Sequence, residues 1–108
     1  MNLKLKMKKH NDIPILVLSG NAVGQDVCKV AEKIESLIKS GTKTIAIDCE
    51  NLDSIDSHGL GMFVFSWKLM EAQKRKLVFL NPSEFIKNLF EGANLDRVFT
   101  IIASIEEL

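Results

Sequence analysis

A short segment near the middle of the sequence combines acidic, hydroxyl and imidazole side chains. It spans residues 48–61 and reads DCENLDSIDSHGLG. Ser57 stands at the expected start of a helix, where a serine commonly acts as the N-cap. The same position suits a phosphate, because free N–H groups and the helix dipole stabilise negative charge there. Phosphorylation of Ser57 would add charge beside Asp56, and we expect it to repel an acidic or apolar partner without refolding.

Catalytic interpretations of this segment are weaker. Asp56, Ser57 and His58 are the residue types of a hydrolase triad, but adjacent residues at a helix start diverge and cannot form the proton relay. The acids of the segment could hold Mg²⁺, yet the sequence has no phosphate-binding G-x-x-x-x-G-K-[ST] loop. We therefore predict no catalytic residue, no metal and no cofactor, with a weak nucleotide-binding module as a third alternative. The acids are Asp48, Glu50, Asp53 and Asp56.

Two glycines and a second apolar stripe mark the helix predicted from Ser57 to about Lys74. Gly59 and Gly61 each cost roughly 1 kcal/mol relative to alanine, which is explained if another backbone or a bulky group approaches closely. One apolar set recurs at helical spacing and should face the sheet. A second set lies nearly opposite, so either neighbouring helices cover it or it is an exposed contact patch, which we favour. The first set is Leu60, Phe63, Val64, Trp67 and Met70, and the second is Met62, Phe65 and Leu69 with Ser66.

The surrounding pattern predicts one α/β domain over residues 1–108, in the order β-β-α-β-α-β-α-β(-α). We expect a mixed sheet of four to five strands, an opening antiparallel hairpin and helices mainly on one face. Asn81 is predicted to cap the third helix, with Pro82 at its first position. Residues 50–55 look polar and irregular. Strands are predicted at 2–8, 13–19, 44–48, 77–80 and 98–102, a loop between Gly20 and Gly24, and helices at 26–40, 57–74 and 82–91, with a short one from Ser104.

Composition and charge argue against several classes of function. Hydrophobic residues make up 46% and charged residues 26%, which is typical of a globular chain. Lys+Arg and Asp+Glu are both 14, which argues against a direct nucleic-acid binder. The longest apolar runs have four residues, against about 20 for a membrane span, and the N-terminus lacks the apolar core of a signal peptide. Cys28 and Cys49 read as reduced thiols, so we expect a cytoplasmic protein.

Residues 56–61, DSHGLG, resemble the D-S-[ST]-G-L-G signature of the anti-sigma factor antagonists, which are single-STAS-domain proteins of bacteria. The resemblance covers nearly the whole chain, including the hairpin that ends at Ser19-Gly20 and residues 82–99. It implies that an anti-sigma factor with serine kinase activity phosphorylates Ser57 and thereby ends its own binding, and that a PP2C-type phosphatase restores it. It implies a partner surface made of Asp56, Ser57, His58, Gly59, Gly61, Met62, Phe65 and Leu69.

Two positions depart from that signature. His58 replaces a second hydroxyl residue, and Val23 stands where the family tends to carry an acid after the strand-2 glycine. His58 is interpreted as a solvated residue at the helix start, although a histidine could also tune a neighbouring serine. An alternative function is therefore a STAS scaffold subunit of a larger signalling or lipid-transport complex, without a phosphoserine. A monomer is expected, or a weak homodimer through the second stripe.

Overall fold

The computed structural model describes residues 2–108, which form a five-stranded sheet with three helices. Short 3-10 turns occur at Gly24–Val27, Leu95–Arg97 and Ile105–Glu107. None of the helices in the described part of the chain is long and apolar enough to cross a membrane. The strands are β1 (Lys4–His10), β2 (Ile13–Ala22), β3 (Thr44–Ile55), β4 (Lys76–Leu80) and β5 (Thr100–Ile102), and the helices are α1 (Cys28–Lys39), α2 (Ser57–Ala72) and α3 (Glu84–Gly92).

The sheet has the spatial order β1-β2-β3-β4-β5. β1 pairs with β2 antiparallel, and every later pair is parallel. The parallel pairs need crossovers, and α1, α2 and α3 supply them. The predicted element order, the opening hairpin and the mixed sheet are therefore confirmed.

The helices cover one face of the sheet, as predicted. On that face Leu16, Ile47 and Phe79 are buried in the main core with residues of all three helices. The opposite face carries a smaller buried cluster of Ile15, Ala46 and Val78. The 3-10 turn at Ile105–Glu107 brings Ile105 and Leu108 against this cluster. The sheet is thus buried on both faces at its centre, which favours the apolar runs in β2, β3 and β4.

β3 is longer than predicted, and the prediction of an irregular segment at residues 50–55 was wrong. The strand continues to Ile55 because β2 also continues past Gly20 to Ala22 and pairs with it, so the predicted loop between Gly20 and Gly24 was wrong at Asn21 and Ala22. The register between the two strands shifts twice. These bulges let Cys49, Leu52 and Ile55 all reach the core at a spacing of three residues. A search for apolar residues at every second position could not predict that these three residues are buried.

The start of α3 also differs from the prediction. Ser83 is the N-cap and accepts the backbone N–H of Ile86 at 3.2 Å, so the prediction that Asn81 caps and Pro82 opens the helix was wrong. Asn81 donates its N–H to the Ile102 carbonyl at 2.7 Å and has φ 53°. Because this left-handed residue turns the chain out of β4, the helix begins later in the sequence than predicted. β5 similarly begins at Thr100, after Phe99 has stacked on Phe79.

Candidate functional site

The N-terminus of α2 lies directly after β3, and Asp56 is its cap. Asp56 has extended backbone angles, and its Oδ1 accepts the N–H of Gly59 at 2.8 Å. Its Oδ2 accepts the N–H of Gly24 at 3.1 Å, so one carboxylate joins the helix to the loop after β2. The prediction that Ser57 is the N-cap was wrong, because a longer acidic side chain one residue earlier takes that role.

Ser57 is the first residue of α2 and is exposed, as is His58 next to it. Beside it, the N–H of Gly59 lowers the pKa of Asp56, with further contributions from the N–H of Gly24 and from the charge of His58. Asp56 therefore stays ionised at neutral pH. The result is an accessible hydroxyl at the positive end of a 16-residue helix, flanked by a fixed negative charge.

The two glycines of the segment have different surroundings. A Cβ on Gly59 would overlap the carbonyl oxygen of Ala22 and come within 2.8 Å of the Cγ2 atom of Ile55. The predicted close approach of another backbone is therefore confirmed at Gly59. At Gly61 a Cβ would meet nothing within 4 Å, so no contact within the chain explains that glycine, and the close approach of a partner there stays a prediction.

The end of β2 and the residues that follow it lie against the end of β3 and the first turn of α2. The N–H of Asp56 donates to the Ala22 carbonyl at 3.3 Å, and Ser54 donates to Asn21 at 2.7 Å across the same strand pair. Val23 is 37% exposed between Ala22 and Gly24, both of which are tied to Asp56. Sequence reasoning placed Val23 near the serine only through the resemblance. It missed Gly24, because a contact across 32 residues leaves no local pattern.

The second apolar stripe is not a continuous exposed patch. Phe65 is 45% exposed, but Met62 and Leu69 are half-buried and pack against the main core, and Ser66 is fully buried. The buried centre of α2 is Gly59, Phe63, Ser66 and Met70, and α1 also packs on this helix. The prediction of an opposite stripe was therefore wrong at Ser66 and in part at Met62 and Leu69. Their predicted partner contacts stay a prediction.

The acidic residues of the segment do not converge on one point. Asp48 is 8% exposed and its Oδ1 accepts the N–H of Glu50 at 3.0 Å, whereas Asp56 caps α2. Within residues 2–108 no group of three His, Cys, Asp or Glu side chains is placed to hold a metal ion. Cys28 and Cys49 are free cysteines, and burial raises the pKa of Cys49, which makes it a poor nucleophile.

Comparison with known proteins agrees with this geometry. The chain is 29% identical over 95 residues to the anti-sigma-B factor antagonist of Staphylococcus epidermidis, covering 88% of each chain. Its fold matches the Bacillus protein SpoIIAA in its phosphorylated form, with a TM-score of 0.74, 24% identity, and coverage of 96% of this chain and 95% of that one. An anti-sigma factor antagonist of Mycobacterium paratuberculosis matches with a TM-score of 0.83, 11% identity, and coverage of 98% and 90%.

A comparison with protein-family models gives the same result for nearly the whole chain. The mixed five-stranded sheet with three helices agrees with the fold of the solved relatives. The family model described as the STAS domain matches residues 4–108, which is almost the whole chain. The chain belongs to the STAS domain family.

Proposed function

We propose that this protein is an anti-sigma factor antagonist, a regulator rather than an enzyme, whose binding is ended by phosphorylation of Ser57. Its partner is an anti-sigma factor with serine kinase activity in the bacterial cytoplasm, and a PP2C-type phosphatase reverses the modification. One observation carries the proposal: the exposed Ser57 opens α2 directly after the capping carboxylate of Asp56. A kinase can reach this hydroxyl without any local unfolding.

The relatives support the same proposal. The Staphylococcus epidermidis relative is named an anti-sigma-B factor antagonist and aligns over 88% of this chain. The SpoIIAA protein was solved in both an unphosphorylated and a phosphorylated form, and both resemble this fold, with TM-scores of 0.73 and 0.74. A fold that accommodates both forms fits a switch that acts through surface charge rather than through a large rearrangement.

The cap geometry gives this switch a physical basis. Asp56 already accepts the N–H of Gly59, so a phosphate on Ser57 is not needed to stabilise the helix. It would add about 1.5 to 2 negative charges beside the ionised carboxylate of Asp56. That charge would oppose any acidic or apolar partner surface resting on the first turn. Binding would be lost while the fold is kept.

The proposed partner surface has exposed members and supporting members. Ser57, His58, Gly61 and Phe65 are exposed and available for contact. Gly59 contributes by letting Ala22 approach the first turn. Asp56 fixes that turn to the loop after β2, and the half-buried Met62 and Leu69 would contribute only their exposed edges.

Mass spectrometry tests the proposal directly. The protein is purified from its own host during growth and starvation, and separately incubated with each purified anti-sigma factor kinase of that host and ATP. We expect the mass gain of one phosphate, located on Ser57, and loss of kinase binding in the modified form. Ser57→Ala should abolish the modification. Ser54→Ala removes a half-buried serine three residues away and is the matched control that should still be modified.

The scaffold alternative predicts different results. Val23 exposes an apolar side chain beside the first turn of α2, where the resemblance expected an acid. If Val23 serves a permanent interface, Ser57 would stay unmodified under all conditions. Ser57→Ala and Ser57→Asp would then leave co-purifying partner chains unchanged, which would contradict the phosphorylation switch.

A further inference from the structure

Charged side chains are unevenly distributed over the molecule, although the chain as a whole is neutral. Lys+Arg and Asp+Glu are both 14, yet residues 44–67 carry four acids and no Lys or Arg. Basic residues concentrate just before β3 and just before β4. Because these two strands are parallel, the residues before them lie at one end of the sheet and the residues after them lie at the other. The fold therefore separates positive and negative charge between its two ends.

The basic end is formed by the loop between α1 and β3 and the loop between α2 and β4. The N–H of Lys76 donates to the carbonyl of Lys43 at 2.8 Å, which holds the two loops together. The guanidinium of Arg75 also donates across them, to the Thr42 carbonyl. Arg75 is half-buried, and the other basic side chains are exposed. The basic end is defined here as Lys39, Lys43, Lys74, Arg75 and Lys76.

Helix dipoles do not account for this concentration of positive charge. A cation is favoured in the last turn of a helix, and Lys39 has that position in α1. The last turn of α2 contains no basic residue, and residues 74–76 follow its end. Glu71 is the single acid among residues 68–76. The lysines and the arginine repel one another, and a negatively charged surface outside the chain would relieve that repulsion.

The acidic end lies where β3 continues beyond its pairing with β4. Glu50 and Asp53 are exposed on this extension, and Asp56 follows as the exposed cap of α2. Glu84 is exposed at the start of α3, which follows β4 at the same end. Lys4 lines the same depression as Glu50 and Asp53, but the acids outnumber it. These four acids define the acidic end.

We propose that the protein associates with further copies of itself head to tail, with the basic end of one copy docked on the acidic end of the next. A second copy is the occupant whose complementary charge is visible in the molecule itself. A net charge of zero also removes the overall repulsion that keeps like-charged copies apart. Contact between unlike ends is heterologous, so it extends into rows instead of closing as a dimer. Exposed ion pairs each contribute little, so the association is weak and sensitive to salt.

This association has a consequence for Ser57. Ser57 directly follows Asp56, so a copy docked on the acidic end would cover its hydroxyl. That consequence rests on the proposed function, whereas the self-association does not. A negative charge at Ser57 would add to the acidic end and strengthen the docking. Ser57→Asp should therefore associate more tightly than Ser57→Asn, which adds no charge, and equal association would exclude Ser57 from the contact.

Sedimentation velocity of the purified, unmodified protein over a range of concentrations measures the association. In about 0.01 M salt, where the screening length is about 30 Å, species larger than a dimer should grow with concentration. In about 1 M salt, where that length is about 3 Å, the association constant should fall at least about tenfold. Urea denaturation verifies that every variant described below folds.

Two double variants give each copy two ends of the same charge. Lys43→Glu with Lys76→Glu makes both ends acidic, and Glu50→Lys with Asp53→Lys makes both ends basic. Each variant should remain monomeric alone, and a mixture of the two should associate. Lys6→Glu with Lys87→Glu is the matched control, because it alters two exposed lysines outside the basic end. At the same net charge, it should associate more tightly than the variant with two acidic ends.

Several outcomes would overturn the inference. Wild type that stays monomeric in low salt would do so, as would a mixture of the two double variants that does not associate. Association that stops at a dimer, or that persists unchanged in about 1 M salt, would instead indicate a closed or apolar interface. None of these measurements involves an anti-sigma factor, so their failure leaves the proposed function intact.

Discussion

The two faces of α2 show what the fold requires and what it leaves free. On the inner face, Phe63 and Met70 are fully buried, and Gly59 lies against the backbone of β2. On the outer face, Gly61 and Phe65 are exposed. Residues of the inner face are explained by contacts within the chain, whereas those of the outer face are not. A residue type that costs stability without an internal contact therefore points to an external one.

The largest expected effect is on the inner face. Phe63 contacts the rings of Phe79 and Phe90 at centroid distances of 5.4 and 6.4 Å. Phe63→Ala should lower the free energy of unfolding by about 3–5 kcal/mol, because it leaves a cavity in the main core. Phe65→Ala, two residues away on the outer face, should change it by less than about 0.5 kcal/mol. Urea denaturation of both variants checks the contrast, and equal losses would contradict it.

The two glycines of α2 test the same comparison between faces, with smaller expected changes in stability. Gly59→Ala should destabilise the protein by about 1–3 kcal/mol, because the new Cβ overlaps the Ala22 carbonyl and forces the backbone to shift. Gly61→Ala should stabilise it by up to about 1 kcal/mol, since the added methyl group meets open space and favours the helix. Thermal and urea unfolding measure the sign of the stability change in each variant. A destabilising Gly61→Ala would remove the argument for an external requirement.

A third prediction concerns Asp56, the cap from which both faces of α2 begin. The hydrogen bonds to Gly59 and Gly24 lower the pKa of Asp56 in the folded state. A lowered folded pKa gives stability that is full above the ordinary value of 3.8 and is lost as pH falls through the folded value. Wild type should therefore be more stable than Asp56→Asn at neutral pH, and the difference should shrink in acid.

Unfolding in urea from about pH 7 to about pH 3 measures this difference. Asparagine can also cap a helix, so the comparison isolates the charge. Asp53→Asn removes an exposed acid of the same segment and controls for net charge. A difference between wild type and Asp56→Asn that stays constant over this range would contradict the cap's electrostatic role.

Local patterns predicted most of the fold. Alternation in β1, the apolar runs of β2 to β4 and the helical spacing of α1 are each local to one element, and the order of elements along the chain follows from them. The prediction for residues 50–55 was wrong because this part of β3 forms a strand through its pairing with β2. It also contains bulges that break the two-residue period of a regular strand. A pairing partner 33 residues away has no signature in the segment itself.

The candidate site was predicted less completely. The motif located the first turn of α2, but it could not show that Asp56 rather than Ser57 is the cap, because both types favour that position. Periodicity also could not separate Phe65 from Met62 and Leu69. That separation depends on how far neighbouring elements, such as α1, cover the helix, and apolar residues on a helix flank look alike in sequence.

The smallest expected change in stability is at Phe65, and it has the clearest consequence for function. Phe65→Glu places a charge on a side chain that is 45% exposed, so the fold should stay within about 0.5 kcal/mol of wild type. The same change replaces an apolar ring of the proposed partner surface with a carboxylate. Binding to the anti-sigma factor should therefore fall sharply while the unfolding curve stays in place. Calorimetry and urea denaturation on one preparation measure both quantities. An unfolded Phe65→Glu protein would instead assign Phe65 to the core, and the distinction between the two faces of α2 would fail at the residue on which it most depends.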